Sequence, residues 1–105
     1  MNSDFKTPYY AVIFTSVRTT GEHGYTEMAS LMEELARKQP GFLGLDSARE
    51  DVGITVSYWE SLDAIKAWKE QTDHLIAQSL GKEKWYESYR VRIAKVEKDY
   101  GFNLE

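Results

Sequence analysis

The chain has 105 residues and no cysteine, and its 13 Lys and Arg against 17 Asp and Glu give it a formal net charge of −4. A sequence of this length forms one compact domain over residues 1–105, and without cysteine it has no disulfide, no thiolate metal site and no cysteine nucleophile. The negative charge, and the lack of an apolar run of the roughly 20 residues that span a bilayer, predict a cytoplasmic protein that binds neither nucleic acid nor membranes.

The first half of the chain predicts a strand followed by a helix. Residues 9–17 (YYAVIFTSV) are β-branched and aromatic, and both alternating sets are apolar, so we expect a strand that is covered on both faces. Apolar side chains then recur at helical spacing from about residue 22 to residue 38, and Pro40 and Gly41 end the predicted helix. Its apolar stripe comprises Tyr25, Met28, Leu31, Met32 and Leu35.

A hairpin and a second helix are predicted next. Residues 42–49 and 54–59 have strand composition, and the short EDVG turn between them makes them antiparallel neighbours. Ser61 is a candidate N-cap for a helix from residue 62 to about residue 80, which Gly81 would end. We expect a break in this helix near Thr72 and Asp73. Its buried side is predicted to comprise Leu62, Ile65, Trp68, Leu75 and Ile76.

A final strand over residues 87–97 completes a βαββαβ order. One of its faces carries Tyr89, Val91 and Ile93, and the other carries Arg90, Arg92, Ala94 and Val96. Right-handed crossovers fold this order into a four-stranded antiparallel sheet with both helices on one face. Since strands one and three are apolar on both faces, a monomer would expose a large apolar patch. We therefore predict a homodimer that packs sheet to sheet.

Three motifs carry a family resemblance over residues 9–102. They are YWES, a helix with AIKAWK, and DHLIAQSLGKEKWYESYRVRIAKVEKDYGF. These motifs resemble the antibiotic biosynthesis monooxygenase (ABM) family, and residues 59–102 resemble a bacterial subgroup of it. The resemblance implies an α+β fold, in which a ferredoxin-like βαββαβ unit forms a dimeric α/β barrel with a pocket between helices and sheet. The family includes cofactor-independent oxygenases of aromatic polyketides, quinol oxygenases and haem-degrading enzymes, so function has to be argued from the site.

The resemblance disfavours haem degradation. Trp68 matches the helix tryptophan of haem-degrading members, but the position of their axial histidine, ten residues further on, is Gln78 here. Their strand asparagine is replaced by Phe14 or Thr15, depending on the alignment. The two histidines of the chain lie far apart, with no metal-binding spacing. We therefore predict neither a metal nor any other cofactor.

Candidate site residues follow from the chemistry of cofactor-free oxygenation, which requires proton transfer, a stabilised anion and exclusion of water. His74 is the candidate catalytic base or hydrogen-bond donor, since imidazole titrates near neutral pH, although it also suits a structural role. Arg90 is a candidate for binding an oxyanion or a substrate carboxylate, unless it pairs with Asp46, Glu50 or a carboxylate of the dimer partner. The aromatic residues that line a substrate pocket, or else fill the core, are Trp59, Trp68, Trp85 and Tyr86.

The sequence thus favours a homodimeric monooxygenase that oxidises a small aromatic, phenolic or quinol-type compound with O2 and without a cofactor. One alternative is a non-catalytic small-molecule-binding or stress-associated protein on the same scaffold. Haem binding is a third hypothesis, in which His74 would ligate the iron from the turn before the expected position.

Overall fold

The computed structural model describes residues 5–22, 24–78 and 85–104, and for residues 74–78 it describes the backbone alone. The elements are β1 (Tyr9–Arg18), α1 (Tyr25–Arg37), β2 (Phe42–Arg49), β3 (Gly53–Trp59), α2 (Leu62–Gln78) and β4 (Tyr86–Val96). The predicted βαββαβ order is confirmed, and the strand bounds agree with the prediction to within one residue. Neither described helix has the length and apolar character needed to cross a membrane.

The strands form one antiparallel sheet in the order β2-β3-β1-β4. In β1, alternate side chains point to opposite faces of the sheet. Tyr10 lies opposite Trp59, whose ring stacks on Trp68 of α2, so the even-numbered residues of β1 face the helices. The register places Val91 opposite Phe14 on this helix face. The odd-numbered residues of β1 point to the other, helix-free face.

Helix α1 begins three residues later than predicted. Gly24 has a φ of 78°, a left-handed conformation that cannot continue a helix backward from Tyr25. Glu22, which precedes the helix, nevertheless caps its first turn with its side chain. The carboxylate accepts a hydrogen bond from the backbone N–H of Thr26 at 2.7 Å and another from the Thr26 hydroxyl at 3.0 Å. Ala36 is the buried residue of this helix.

Helix α2 runs unbroken through residues 62–78, so the predicted break near Thr72 and Asp73 is wrong. The polar side chains there are satisfied within the helix, since Thr72 donates to the carbonyl of Lys69 and Lys69 pairs with Asp73 at 2.8 Å. The predicted N-cap is confirmed, because Ser61 Oγ accepts the backbone N–H of Ala64 at 3.1 Å. The predicted helix end at Gly81 lies outside the described residues.

The buried side of α2 differs from the prediction at its first residue, and the side chains of its last two predicted members, Leu75 and Ile76, lie outside the described residues. Ile65 is buried and Trp68 half-buried, but Leu62 is 53% exposed. The side of the helix that carries Ala64, Ile65 and Trp68 faces the sheet, since Trp68 stacks on Trp59. At 3.6 residues per turn, Leu62 lies roughly 110° around the axis from the middle of that side. Helix α2 can lie close to the chain just before β2 because residue 41 is a glycine. A Cβ at Gly41 would lie 2.7 Å from the Cβ of Ala64.

Candidate functional site

Aromatic side chains form two separate groups on the helix face. The tryptophan group comprises Phe42, Trp59 and Trp68, and the tyrosine group comprises Phe14, Tyr25, Tyr86 and Tyr89. Trp59 lies opposite Tyr10 of β1, whereas Tyr86 lies opposite Arg18, eight residues further along the same strand. At about 3.3 Å per residue, roughly 26 Å separates the two ends. The structure therefore does not gather the predicted pocket residues into one cluster.

The tryptophan group has the packing of a core. Trp59 is fully buried, and its indole Nε1 donates to the hydroxyl of Ser57 at 2.8 Å. Trp68 stacks on it with a centroid distance of 6.1 Å, and Phe42 meets it edge-on at 5.3 Å. Because the polar atom of Trp59 is satisfied and its surface is covered, this group anchors α2 on the sheet. Substrate contact by Trp59 and Trp68 stays a prediction.

The tyrosine group forms a surface that is partly open to solvent. Phe14 stacks on Tyr89 at 5.3 Å with an interplanar angle of 29°, and Tyr86 lies edge-on to both. Tyr25, the first residue of α1, meets Tyr86 edge-on at 5.8 Å. Tyr89 is 40% exposed, and the surface continues along β4 through Val91. A planar ring could stack on this surface from the β4 side.

Arg18 lies beside the tyrosine group. Its guanidinium carbon is 3.5 Å from the centre of the Tyr25 ring, a cation–π contact. Two backbone carbonyls hold it there: Nε donates to Trp85 at 3.3 Å and Nη2 donates to Gly21 at 3.1 Å. The register shift between Val17 and Arg18 turns this end of β1 so that Arg18 opposes Tyr86.

Arg49 approaches the same end of the sheet from the last position of β2. Its guanidinium donates to the carbonyl oxygen of Ser16 at 3.5 Å and also to the Ser16 hydroxyl. Ser16 is a buried residue. The guanidinium also lies over Gly53, where a side chain would collide with it. Together Arg18 and Arg49 form the arginine pair. Neither lies within 4.0 Å of a carboxylate of the described residues.

The phenol of Tyr86 is held in its neutral form. Burial is the largest cause and raises its pKa well above the usual range, and the charge and hydrogen bond of the Tyr25 hydroxyl raise it further. The positive charges of Arg49 and Arg18 lower the pKa by smaller amounts. At neutral pH, Tyr86 is therefore a hydrogen-bond donor rather than a base. The site combines this donor with two guanidiniums, an arrangement suited to an anionic oxygen.

Two other predicted site residues relate differently to this group. Trp85 is 4% exposed, and its carbonyl accepts from the backbone of Thr19 at 2.9 Å as well as from Arg18, so it positions that arginine. His74 belongs to α2, but its side chain lies outside the described residues, and its catalytic role stays a prediction. Among the described residues, no group of three or more His, Cys, Asp or Glu is placed to hold a metal ion.

Arg90 lies on the helix-free face and is separated from the tyrosine group by the sheet. In the pairing of β1 with β4 it lies opposite Thr15, and it borders a shallow depression of about 260 Å³. Among the described residues Arg90 forms no ion pair with Asp46 or Glu50, and Asp46 instead accepts from Tyr58 at 2.8 Å. A substrate-binding role for Arg90 stays a prediction, at a place distinct from the tyrosine group.

The sequence and the fold both match known proteins. A family model described as antibiotic biosynthesis monooxygenase matches residues 8–79. The chain belongs to this family. Among ABM relatives, YqjZ of Bacillus subtilis (strain 168), an uncharacterized protein, is 55% identical over 93 residues, which cover 87% of this chain and 82% of the relative.

Solved structures share the ferredoxin-like fold of this ABM protein. SnoaB, a cofactor-independent oxygenase from Streptomyces nogalater, superposes with a TM-score of 0.65 at 13% identity, over 90% of this chain and 97% of its own. PA3566 from Pseudomonas aeruginosa gives a TM-score of 0.65 at 17% identity, over 91% and 99% of the two chains. At these identities the similarity establishes the fold alone.

Proposed function

We propose that this ABM-family protein is a cofactor-independent monooxygenase that acts on a small phenolic or quinol-type aromatic compound. The observation that carries the proposal is the tyrosine group, an aromatic surface that is open along β4 and lies beside the arginine pair. Aromatic rings offer stacking to a planar substrate, and the cationic donors offer stabilisation to its anion. The fold shared with SnoaB, a cofactor-independent oxygenase, supports the reaction class.

The proposed reaction takes its electrons from the substrate. A phenolate or enolate transfers one electron to O2, the two radicals combine to form a C–O bond, and the resulting hydroperoxide loses water. For a ring methylene, both hydrogens and one oxygen atom leave as water while the second oxygen becomes the carbonyl oxygen. The electrons balance without an external reductant. The protein has only to accept the first proton, hold the anion and exclude water.

Individual residues of the site would divide these tasks. Tyr86, kept neutral by its raised pKa, would turn its one O–H from the Tyr25 hydroxyl to the oxyanion, and the arginine pair supplies positive charge on the same side. Phe14 and Tyr89 stack on the substrate ring. His74 is the proposed acceptor of the first proton, because histidine is the residue type that ordinarily titrates near neutral pH. The other histidine of the chain is His23.

Oxygen uptake with a panel of anthrones and hydroquinones tests the proposal. Loss of one oxyanion donor lowers catalysis by about 10²- to 10³-fold in well-studied enzymes, so we expect a decrease of that order for Tyr86→Phe. Tyr58→Phe is the matched control, because it also removes a tyrosine hydroxyl, but on the helix-free face of the sheet. A wild-type rate no higher than that of Tyr86→Phe contradicts the oxygenase, and ligand binding without uptake favours a non-catalytic binding protein.

We propose further that the protein is a homodimer whose protomers meet through their helix-free faces. On that face Ile54 of β3 is 45% exposed. The segment after β4 adds the tail, residues 99–104, in which every second residue is apolar and 85–88% exposed: Tyr100, Phe102 and Leu104. The tail begins beside this face, because Asp99 accepts the Tyr9 hydroxyl at 2.6 Å. A second copy would cover both surfaces, and a monomer in light scattering at micromolar concentration contradicts the proposal.

A further inference from the structure

The arginine pair brings two positive charges to one end of the sheet in a protein whose net charge is −4. We propose that Arg18 and Arg49 form a binding site for a carboxylate carried by the substrate, so that the preferred ligands are planar aromatic acids. The inference rests on the proposed function for the aromatic surface, but it concerns recognition rather than the reaction with O2.

Unused donors are the first support for this site. A guanidinium has five N–H groups. Arg18 uses two of them on the carbonyls of Trp85 and Gly21, and Arg49 uses two on Ser16. Among the described residues, the other three N–H groups of each arginine form no hydrogen bond. A carboxylate accepts from such groups in the bidentate geometry that guanidinium favours.

Charge is the second support. The chain carries a net charge of −4, yet the described carboxylates that form ion pairs contact Arg37 and Lys69 and leave the arginine pair without a carboxylate. Arg49 donates to Ser16, and Arg18 lies two residues further along the same strand, so both cations belong to one end of the sheet. A bound carboxylate would offset their positive charge, whereas a neutral ligand would not.

Preorganisation is the third support. The Arg18 guanidinium is fixed by its stacking on Tyr25 and by two carbonyls, and Arg49 is fixed by the buried Ser16. Because neither side chain has to be ordered on binding, little conformational entropy is lost when the ligand arrives. The acid group would lie at the arginine pair while the ring stacks on Phe14 and Tyr89.

Isothermal titration calorimetry with 2-naphthoate and with methyl 2-naphthoate tests the inference, since the two probes share a ring and differ in charge. We expect the acid to bind roughly 10- to 100-fold more tightly than the ester, as charge-assisted hydrogen bonds imply. The advantage should fall to within about threefold in Arg18→Gln and in Arg49→Gln, because each removes one partner of the carboxylate. Arg37→Gln, a change of the same kind on the exposed side of α1, should keep it.

Several results would overturn the inference. They are equal binding of acid and ester, no binding of the acid up to millimolar concentration, and an acid preference that survives in both variants of the pair. If Arg18→Gln does not give a folded circular dichroism spectrum, Arg49→Gln carries the test, with Arg49→Lys expected to restore part of the preference. Acid-selective binding without O2 uptake would support the carboxylate site and contradict the oxygenase, whereas uptake that is equal for acid and ester substrates would do the reverse.

Discussion

Replacing Gly41 with alanine tests how α2 is seated on the sheet. Gly41 has a φ of 85°, and a Cβ at this position would lie 2.7 Å from the Cβ of Ala64. The left-handed conformation costs an L-residue about 1–2 kcal/mol, and overpacking costs about 1–3 kcal/mol more. The reduced freedom of the unfolded chain offsets about 0.4–1 kcal/mol of this. We therefore expect Gly41→Ala to lower the free energy of unfolding by about 2–4 kcal/mol.

Urea unfolding followed by circular dichroism measures this loss, and Gly24→Ala provides the matched control. Gly24 has a similar φ of 78°, but among the described residues, its chain neighbours apart, no atom lies within 4 Å of the position of its Cβ. Only the conformational cost applies there, so we expect a loss of about 1 kcal/mol or less. Adding Ala64→Gly to Gly41→Ala should restore the steric part. Equal losses for Gly24→Ala and Gly41→Ala would refute the conclusion that contact with α2 decides the identity of residue 41.

Three further predictions concern titration, the tail and the helix cap. Burial is the main cause that raises the pKa of Tyr9 and of Tyr58 to about 12, and a hydrogen bond to an aspartate is the second. The stability that these neutral phenols contribute is therefore complete below pH 10 and is lost as the pH rises towards 12. Absorbance at 295 nm should show both ionising above the exposed tyrosines, and a single transition near pH 10 for all seven would contradict this. Deleting residues 100–104 should weaken dimerisation in analytical ultracentrifugation without changing the helix content, whereas an unchanged dissociation constant would remove the tail from the interface. Ser61→Ala should lower the free energy of unfolding by about 1 kcal/mol through loss of the N-cap, while Ser61→Asp should keep the cap; equal losses for the two variants would show that the Oγ bond is not the cause.

Local patterns predicted the elements well because each element has its own period. The β-branched and aromatic run over residues 9–17 and the helical spacing after residue 24 lie in short windows, and the N-cap Ser61 is recognised from its immediate neighbours. The break expected near Thr72 was wrong because a local signal, polar residues within a helix, was satisfied by contacts one turn away.

The division of the aromatic residues into two groups follows from topology rather than from proximity in sequence. Strands β3 and β4 both pair antiparallel with β1, so they run parallel to each other. Trp59 ends β3 and Tyr86 begins β4, which places them at opposite ends of the sheet. Alternation correctly put Arg90 and Tyr89 on different faces, but the strand pattern does not show which face the helices cover.

The arginine pair escaped prediction because its members meet only through the register. The predicted first strand ends at Val17, one residue before Arg18, whereas Arg49 is the last residue of the predicted second strand, and 30 residues lie between them in the sequence. Arg49 reaches β1 because Ser16 and Gly53 are paired across β1 and β3. Extending the first strand by one residue would have put Arg18 on the same face as Phe14, which is the signal that was available.

The separation of the two aromatic groups gives the protein two independent optical reporters. Trp59 and Trp68 stack closely enough for their transitions to couple, so their near-ultraviolet dichroism reports how α2 sits on the sheet. Trp85 adjoins Tyr86 and holds Arg18 through its carbonyl, so its emission reports the end of the sheet that carries the arginine pair. A Trp85→Phe variant would retain the signal of α2 packing and lose that of the arginine pair, which allows the two ends of the sheet to be followed separately.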